Sequence, residues 1–123
     1  MIGLGIDLCE IARIDNAIQK SDGFLQRYFT AEERSYLEGR GQMVAQSAAA
    51  MFAAKEAFLK ALGTGLSGGI GMAEIGVVHD ELGCPSFALG HKACSKLAEK
   101  GGSMAHLSLT HDAGVAAAVC ILE

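Results

Sequence analysis

The segment from Gln42 to Leu62 constrains the fold of this chain more than any other. It is dense in Ala, Met and Phe, contains no Gly or Pro, and runs into Gly63, a residue type that often ends helices. Three charged residues, Lys55, Glu56 and Lys60, interrupt the apolar pattern. The pattern predicts one long helix at the structural centre of the domain, with Glu56 and Lys60 neighbours on one face.

Length and composition limit the class of protein. The 123 residues suit one domain spanning residues 1–123, and 50% of them are hydrophobic. A small domain buries a smaller share of its surface than a large one, so we expect the surplus apolar residues to form subunit contacts. The formal charge of −4 and the lack of any Lys/Arg block argue against a nucleic-acid partner.

The chain shows no signal for membranes or export. Its longest apolar runs fall short of the roughly 18 residues expected of a membrane span, and its N-terminus lacks the basic start of a secretory signal. The 4 cysteines are scattered singly, which is typical of reduced thiols. We therefore expect a cytoplasmic protein that does not enter a membrane.

The remaining patterns predict an α+β fold, with a small, mostly antiparallel sheet wrapped on the long central helix. Thr30 and Glu33 have the spacing of a capping box, which predicts a short helix start. Val115–Leu122 is apolar throughout, as in a strand buried on both faces. The other predicted elements are strands at Ile2–Leu8, Ala73–His79, Ser86–Leu89 and His106–Thr110, and helices at Glu10–Ser21 and His91–Lys100.

Two places could carry chemistry. A carboxylate at Glu56 could hold a hard cation while Lys60 neutralises phosphate, although a plain surface pair worth about 0.2–0.5 kcal/mol has the same spacing. His111 and Asp112 precede the last strand in a turn that is either a ligand contact or simply solvated. The glycine-rich loop from Gly63 to Gly71 lacks the Gly-Lys-Ser/Thr ending of a nucleotide-binding P-loop. It serves either close backbone approach at a cleft, which we favour, or flexibility.

Motifs covering nearly the whole chain carry a family resemblance. They are Gly5-Ile6-Asp7 with Glu10-Ile11-x-Arg13-Ile14, then Phe52-Ala53-Ala54-Lys55-Glu56-Ala57-Phe58-x-Lys60-Ala61 leading into Gly63-Thr64-Gly65, then Gly83-x-Pro85, and finally Leu107-Ser108-x-x-His111. In this order and spacing the chain resembles the holo-acyl-carrier-protein synthases, the short bacterial form of the 4′-phosphopantetheinyl transferases.

The resemblance implies a reaction and an assembly. Members of this family transfer the phosphopantetheine arm of coenzyme A onto a serine of apo-acyl carrier protein, with Mg²⁺ as cofactor, and release adenosine 3′,5′-bisphosphate for fatty acid biosynthesis. They are α+β homotrimers with each active site in a cleft between two subunits. A non-catalytic coenzyme A-binding module is the main alternative, and intact Asp7, Glu56 and Lys60 argue against it.

The resemblance also implies roles for single residues. Asp7 and Glu56 would hold Mg²⁺, Lys60 would contact the coenzyme A phosphates, and His111 would line the cleft from the neighbouring subunit; these four form the predicted catalytic set. Gly63, Gly83 and Pro85 would contact coenzyme A beside them, and Arg13 would face the acidic carrier protein. The base that removes the serine proton stays open between Glu56, acting directly or through a metal-bound water, and His111. Asp112 would either supplement the metal site or orient His111.

The chain departs from the family pattern at two positions that are often basic. Met51 stands where many relatives have Arg, and Cys84 stands where many have Lys. Both changes remove positive charge. Binding of the 3′-phosphate of coenzyme A would then depend on other cations, with Arg40, Lys92 and Lys96 as candidates.

Overall fold

The computed structural model covers residues 1–123 and describes every side chain except those of residues 66 and 67. The strands and helices follow in the order β1 (Gly3–Glu10), α1 (Ile11–Lys20), α2 (Gly23–Tyr28), α3 (Ala31–Glu38), α4 (Val44–Leu62), β2 (Ile75–His79), β3 (Pro85–Leu89), α5 (His91–Glu99), β4 (Ala105–Asp112) and β5 (Val115–Leu122). Short 3₁₀ turns lie at Gly41–Met43, Gly65–Gly68 and Met72–Glu74.

The strands form two antiparallel sheets, and α4 packs across the larger one. That sheet has the order β1-β5-β4, while β2 and β3 form a separate hairpin. A Cβ atom at Gly5 would collide with the carbonyl oxygen of Ala57 on α4, and one at Gly3 would collide with that of Ala61. Strand β1 therefore lies directly on the central helix, which confirms the predicted α+β fold.

Helix α4 supplies much of the core. Its buried positions include Ala53, Ala57 and Met51, each with no exposed surface. Gly63 ends the helix with a φ of 80°, and its N–H donates to the carbonyl oxygens of Leu59 and Lys60 at 3.1 Å each. The predicted C-terminal cap is confirmed. Among the described residues, no helix has both the length and the apolar character needed to cross a bilayer.

Two local predictions were wrong in detail, and one helix was missed. Helix α2 was not predicted, because its six residues are too few to show a helical period. Strand β1 continues past Leu8 to Glu10, so Asp7 lies inside the strand and not at its end. Strand β5 alternates between buried and half-buried positions, because only one of its faces is covered by α4.

A buried lysine ties α4 to the segment that leads into β2. Lys55 has no exposed surface, and its Nζ donates to Glu33 Oε1 at 2.7 Å, to the carbonyl of Ile75 at 2.8 Å and to that of Met72 at 3.1 Å. Burial lowers the pKa of Lys55, and the negative charge of Glu33 acts in the opposite direction. Three acceptors around one ammonium group compensate for its loss of hydration.

The partner carboxylate has its own set of donors. Glu33 is 1% exposed; Oε1 also accepts from the N–H of Thr30 at 2.8 Å, and Oε2 accepts from the N–H of Val77 at 2.9 Å. The hydroxyl of Thr30 accepts from the N–H of Glu33 at 3.1 Å, so the predicted capping box is confirmed. A residue that caps α3 therefore also joins α3 to α4 and β2.

Breaking this network from one side should destabilise the protein strongly. Lys55→Ala or Glu33→Ala should each lower the free energy of unfolding by about 3–5 kcal/mol, because each leaves the other charge buried and unpaired. The combined Glu33→Ala and Lys55→Ala change should cost less than the sum of the two single changes. Urea unfolding measures these values, with Lys100→Ala as an exposed control expected to change stability by less than about 0.5 kcal/mol. Additive losses would contradict a coupled pair.

Candidate active site

Strand β1 places Asp7 against the central helix. Alternation along the strand puts Gly3, Gly5, Asp7 and Cys9 on the face that packs on α4, and Asp7 pairs with Ala118 of β5. The Asp7 side chain is 17% exposed, and its Oδ1 accepts from Lys60 Nζ at 2.9 Å. Asp7 is therefore a partly buried carboxylate at the rim of the sheet–helix interface.

Lys60 reaches this carboxylate from the last turn of α4. Its Nζ also donates to the backbone carbonyl of Ile6 at 3.1 Å, while its side chain remains 55% exposed. The hydrogen bond to Asp7, followed by the charge of that carboxylate, raises the pKa of Lys60. The ammonium group thus stays charged at the surface, where it can meet an anionic ligand.

Glu56 lies one turn before Lys60 on the same helix and is half-buried. Burial raises the pKa of Glu56, and the nearby charge of Asp7 raises it further, whereas Lys60 and Arg13 lower it. Asp7 and Glu56, which are distant in sequence, therefore lie close enough for their charges to interact. The two carboxylates therefore share one electrostatic environment.

Arg13 and Cys9 border this acidic pair, which the sequence alone did not indicate. Arg13 is an exposed residue of α1 whose charge acts on both Glu56 and Cys9. The Cys9 side chain is buried two residues beyond Asp7 on the same strand face, and burial raises the pKa of its thiol. The period of two along β1 could have placed Cys9 beside Asp7, but no sequence signal gave the position of α1.

His111 is not joined to the acidic pair within one chain. His111 lies near the end of β4 and pairs with Ala116 of β5, which also pairs with Cys9 of β1. Asp7 lies two residues before Cys9 on the same face of β1. Among the described side chains, no hydrogen bond or ion pair links His111 to Asp7, Glu56 or Lys60. Asp112 follows His111 along the strand and therefore points to the opposite face, away from the imidazole.

The other predicted coenzyme A contacts lie at two separate places. Gly63 follows Lys60 by less than one turn and adopts the left-handed conformation described above. Gly83 also has a positive φ, of 85°, in the turn between β2 and β3, where its N–H donates to the carbonyl of Asp80 at 2.9 Å. Pro85 opens β3 opposite His79.

The acidic pair has the donor chemistry of a magnesium site. Within the described residues, no cluster of three or more His, Cys, Asp or Glu side chains could hold a metal alone. Two carboxylates kept close enough to raise the pKa of Glu56 do suit Mg²⁺, which is commonly held by one or two carboxylates plus phosphate oxygens and water. The residues present therefore fit a metal that shares its ligands with a phosphate-bearing substrate.

Comparison with known proteins places this chain in a family. The model of the 4′-phosphopantetheinyl transferase superfamily matches residues 3–120. The chain is 46% identical over 123 residues to holo-[acyl-carrier-protein] synthase of Treponema denticola, covering 100% of this chain and 98% of that protein. The corresponding synthase of Trichlorobacter lovleyi is also 46% identical, with the same coverage.

Solved structures share the fold over nearly their full lengths. A crystal structure of holo-[acyl-carrier-protein] synthase from Neisseria meningitidis has a TM-score of 0.90 and 35% identity, covering 100% of this chain and 98% of that one. The synthase from Helicobacter pylori, solved in complex with coenzyme A, has a TM-score of 0.83 and 28% identity, with coverage of 98% and 99%. By fold and relatives, this chain is a group-transferring enzyme. It belongs to the 4′-phosphopantetheinyl transferase superfamily, which confirms the family predicted from its motifs.

Removing the Asp7 charge should lower the pKa of both Glu56 and Lys60. In Asp7→Asn, Glu56 loses a like charge that opposes its ionisation, and Lys60 loses the acceptor that favours its protonated form. NMR titration of the Glu56 carboxyl and the Lys60 ammonium measures both shifts, with Asp15→Asn on α1 as the control. An unchanged Glu56 pKa in Asp7→Asn would mean that the two carboxylates do not share one environment.

Proposed function

We propose that this chain transfers the 4′-phosphopantetheine group of coenzyme A to a serine hydroxyl of an apo-acyl carrier protein, giving the holo-carrier and adenosine 3′,5′-bisphosphate. The observation that carries the proposal is the convergence of Asp7, Glu56 and Lys60 in a member of this family. The curated relatives named above are holo-[acyl-carrier-protein] synthases, and one solved relative binds coenzyme A.

The chemistry is an attack on a phosphoric anhydride. The serine oxygen forms a bond to the β-phosphorus of coenzyme A, the bond from that phosphorus to the bridging oxygen breaks, and the bisphosphate leaves with the electron pair. Lys60 neutralises the charge that develops on the phosphate oxygens. Glu56 accepts the serine proton in this proposal, because it is a carboxylate one helical turn from the phosphate-binding Lys60. His111 of a neighbouring copy is the alternative base.

Asp7 and Glu56 would hold Mg²⁺ in this proposal. When bound, the ion supplies positive charge to the phosphate oxygens of coenzyme A. Lys60 keeps Asp7 in place by its hydrogen bond, while Glu56 has no side-chain hydrogen bond among the described contacts that would occupy its oxygens. The acidic pair therefore retains oxygens for a cation.

The backbone at the end of α4 and in the β2–β3 hairpin would contact the rest of the substrate. Gly63 would let the phosphopantetheine arm approach the end of α4, and Gly83 with Pro85 would contact coenzyme A from the β2–β3 hairpin. The carrier protein would meet the basic side chains Arg13 and Lys20 of α1, because carrier proteins are acidic and exposed positive charge steers such partners.

We also propose that the chain associates with copies of itself, as the homotrimer that the family resemblance implies, because the outer face of β1 is apolar and exposed. Leu4, Ile6 and Leu8 of β1 are 57%, 62% and 67% exposed on the face away from α4. A contiguous apolar face of this kind usually marks a contact with another chain. In such a trimer His111 of a neighbouring copy would line the cleft at the acidic pair, since among the described contacts no hydrogen bond or ion pair joins His111 to that pair within one chain.

We propose that residues 1–123 form one transferase domain that serves fatty acid biosynthesis in the cytoplasm. The four cysteines are free thiols, two of them buried, as expected in a reducing compartment.

The transfer is tested by measuring the intact mass of an apo-carrier after incubation with coenzyme A, Mg²⁺ and the protein. We expect the carrier to gain the mass of phosphopantetheine, and Glu56→Gln to slow this gain by at least about 10²-fold, because the base and a metal ligand are lost. Glu38→Gln, an exposed carboxylate of α3, should retain the wild-type rate. An unmodified carrier with wild-type protein would favour a non-catalytic coenzyme A-binding module, and undiminished transfer by Glu56→Gln would remove Glu56 from the mechanism.

The subunit contact is tested by charging the outer sheet face. Leu4→Asp should convert the trimer to monomers in sedimentation velocity, because a carboxylate cannot be buried unpaired in an apolar contact. Transfer activity should fall with it, since the neighbouring His111 is lost. Leu82→Asp is the matched control for oligomeric state, because Leu82 is 94% exposed in the β2–β3 turn and away from that face. A Leu4→Asp variant that remains trimeric would contradict this interface.

A further inference from the structure

Helix α5 carries three lysines along one of its faces. Lys92, Lys96 and Lys100, which we call the lysine row, are spaced four positions apart, so each points about 40° further round the helix than the one before it. Residues 91–100 thus hold three of the 10 Lys and Arg residues of the chain, but only one, Glu99, of its 14 Asp and Glu residues. In a chain with a formal charge of −4, the lysine row is a local concentration of positive charge.

Most of this charge has no carboxylate partner. Lys96 forms an ion pair with Glu99 at 3.3 Å, and both of these side chains are exposed. Lys92 and Lys100 are exposed residues that form no ion pair with the described side chains. Glu74 lies at the start of α5, but its Oε1 accepts from the backbone N–H of Lys92 at 2.9 Å and so caps the helix. The lysine row can therefore meet the negative charge of another molecule.

The stability of α5 does not account for the whole lysine row. Positive charge in the last turn of a helix is favourable, which suits Lys96 and Lys100. Lys92 lies in the first turn, where the unpaired N–H groups of the helix already carry partial positive charge. No acidic residue of α5 lies in that turn. A charge placed against the helix dipole indicates a function outside the helix.

The lysine row lies beside the loop that leaves the candidate active site. A Cβ atom at Gly68 would lie 3.6 Å from Lys96 Cε and 3.5 Å from Thr64 Oγ1, so Lys96 packs on the loop that follows α4. Thr64 is only four residues beyond Lys60 of the candidate site. Helix α5 packs on β3 and on the 3₁₀ turn Met72–Glu74, whereas α1 packs on α4 and β1. The loop after the site is therefore bordered by a basic helix other than α1.

The shape of the lysine row suits an extended acidic surface better than a single phosphate. From Lys92 to Lys100 the helix advances about 12 Å, and the three charges lie one after another along it. A phosphate is held by donors that converge on one group, often in a bidentate pair. Carboxylates spaced along the surface of a protein partner match a row of this length, and exposed charges steer such partners into place.

We propose that the lysine row of α5 is a second docking surface for the acidic apo-acyl carrier protein, in addition to the basic residues of α1. The inference rests on the proposed transferase function, because it concerns recognition of that same substrate. A carrier whose serine reaches Glu56 and Lys60 would extend over the loop after α4 and meet α5 there. The lysine row attracts and orients the carrier, and it takes no part in proton transfer.

The kinetic test removes the lysine row by combining Lys92→Gln, Lys96→Gln and Lys100→Gln. We expect kcat/KM for the apo-carrier to fall by roughly 5- to 50-fold at about 0.1 M salt, mainly through KM, because three exposed ion pairs with the carrier are lost. At about 1 M salt, where the Debye length shortens from about 10 Å to about 3 Å, the variant and the wild type should agree within about 2-fold. The KM for coenzyme A should not change. An unchanged KM for the carrier at both salt concentrations would overturn the proposal.

Two controls separate the position of the charges from the net charge of the protein. The combined Lys92→Arg, Lys96→Arg and Lys100→Arg change keeps all three charges and should restore kcat/KM for the carrier to within about 2-fold of the wild type. Ala98→Glu lowers the net charge by one, as Lys96→Gln alone does, but Ala98 is exposed on the opposite side of α5. Ala98→Glu should therefore raise the carrier KM less than Lys96→Gln does, and an equal effect would overturn the proposal.

Contact between the two proteins is tested by carbodiimide cross-linking of the wild type with the apo-carrier, in the absence of coenzyme A. Mass mapping of the linked peptides should join carrier carboxylates to at least one of Lys92, Lys96 and Lys100. Links that include none of these three lysines would overturn the proposal. This measurement needs no variant, so it decides the question even if the triple Gln variant fails to fold.

Two further outcomes would also overturn the proposal. A rise in the KM for coenzyme A alone would place the lysine row at the phosphates of coenzyme A, and altered sedimentation of the triple Gln variant would place it at a subunit contact. If the wild type cross-links to the carrier through α5 but transfers nothing, the proposed function fails while the docking surface stands. If it transfers phosphopantetheine but no lysine of α5 is linked, the docking surface fails while the proposed function stands.

Discussion

The buried ion pair between Lys55 and Glu33 fixes the geometry on which the site depends. Successive residues of an α-helix point about 100° apart, so burying Lys55 sets the direction in which Glu56 leaves the helix. Lys60 follows one turn later on nearly the same side as Glu56. Glu33 also bonds to the start of α3 and to β2. The hydrogen bond from Lys55 to Glu33 therefore fixes the orientation of α4 about its axis relative to both of these elements.

The close contact of β1 with α4 completes the arrangement from the other side. Gly3 and Gly5 let the strand backbone approach the carbonyls of Ala61 and Ala57, and the next residue on that strand face is Asp7. A larger residue at either glycine would move the strand away from the helix and Asp7 away from Lys60. Packing of backbone on backbone therefore sets the distance between the acidic and basic groups.

The structural features that were predicted correctly from the sequence are those that depend on local sequence pattern. Helix α4, the capping box at Thr30 and the cap at Gly63 were all predicted, because periodicity and terminal residues are local signals. The sequence did not predict the burial of Lys55, whose partner lies 22 positions away in sequence. Nor did it show that Asp112 faces away from His111, since that depends on β4 extending further than its alternation indicated. The burial of Lys55 and the direction of Asp112 depend on contacts between distant parts of the chain and not on local propensity.

The two faces of strand β1 have different functions. Asp7 points to α4, while Ile6 and Leu8 on either side of it form the exposed apolar surface. A slip of one position in the pairing of β1 with β5 would exchange the two faces, sending the carboxylate outward and an isoleucine or leucine against the helix. A shifted strand would thus lose both the carboxylate of the site and the apolar surface for self-association. Assembly of the subunits therefore requires the same strand register that places Asp7 against α4.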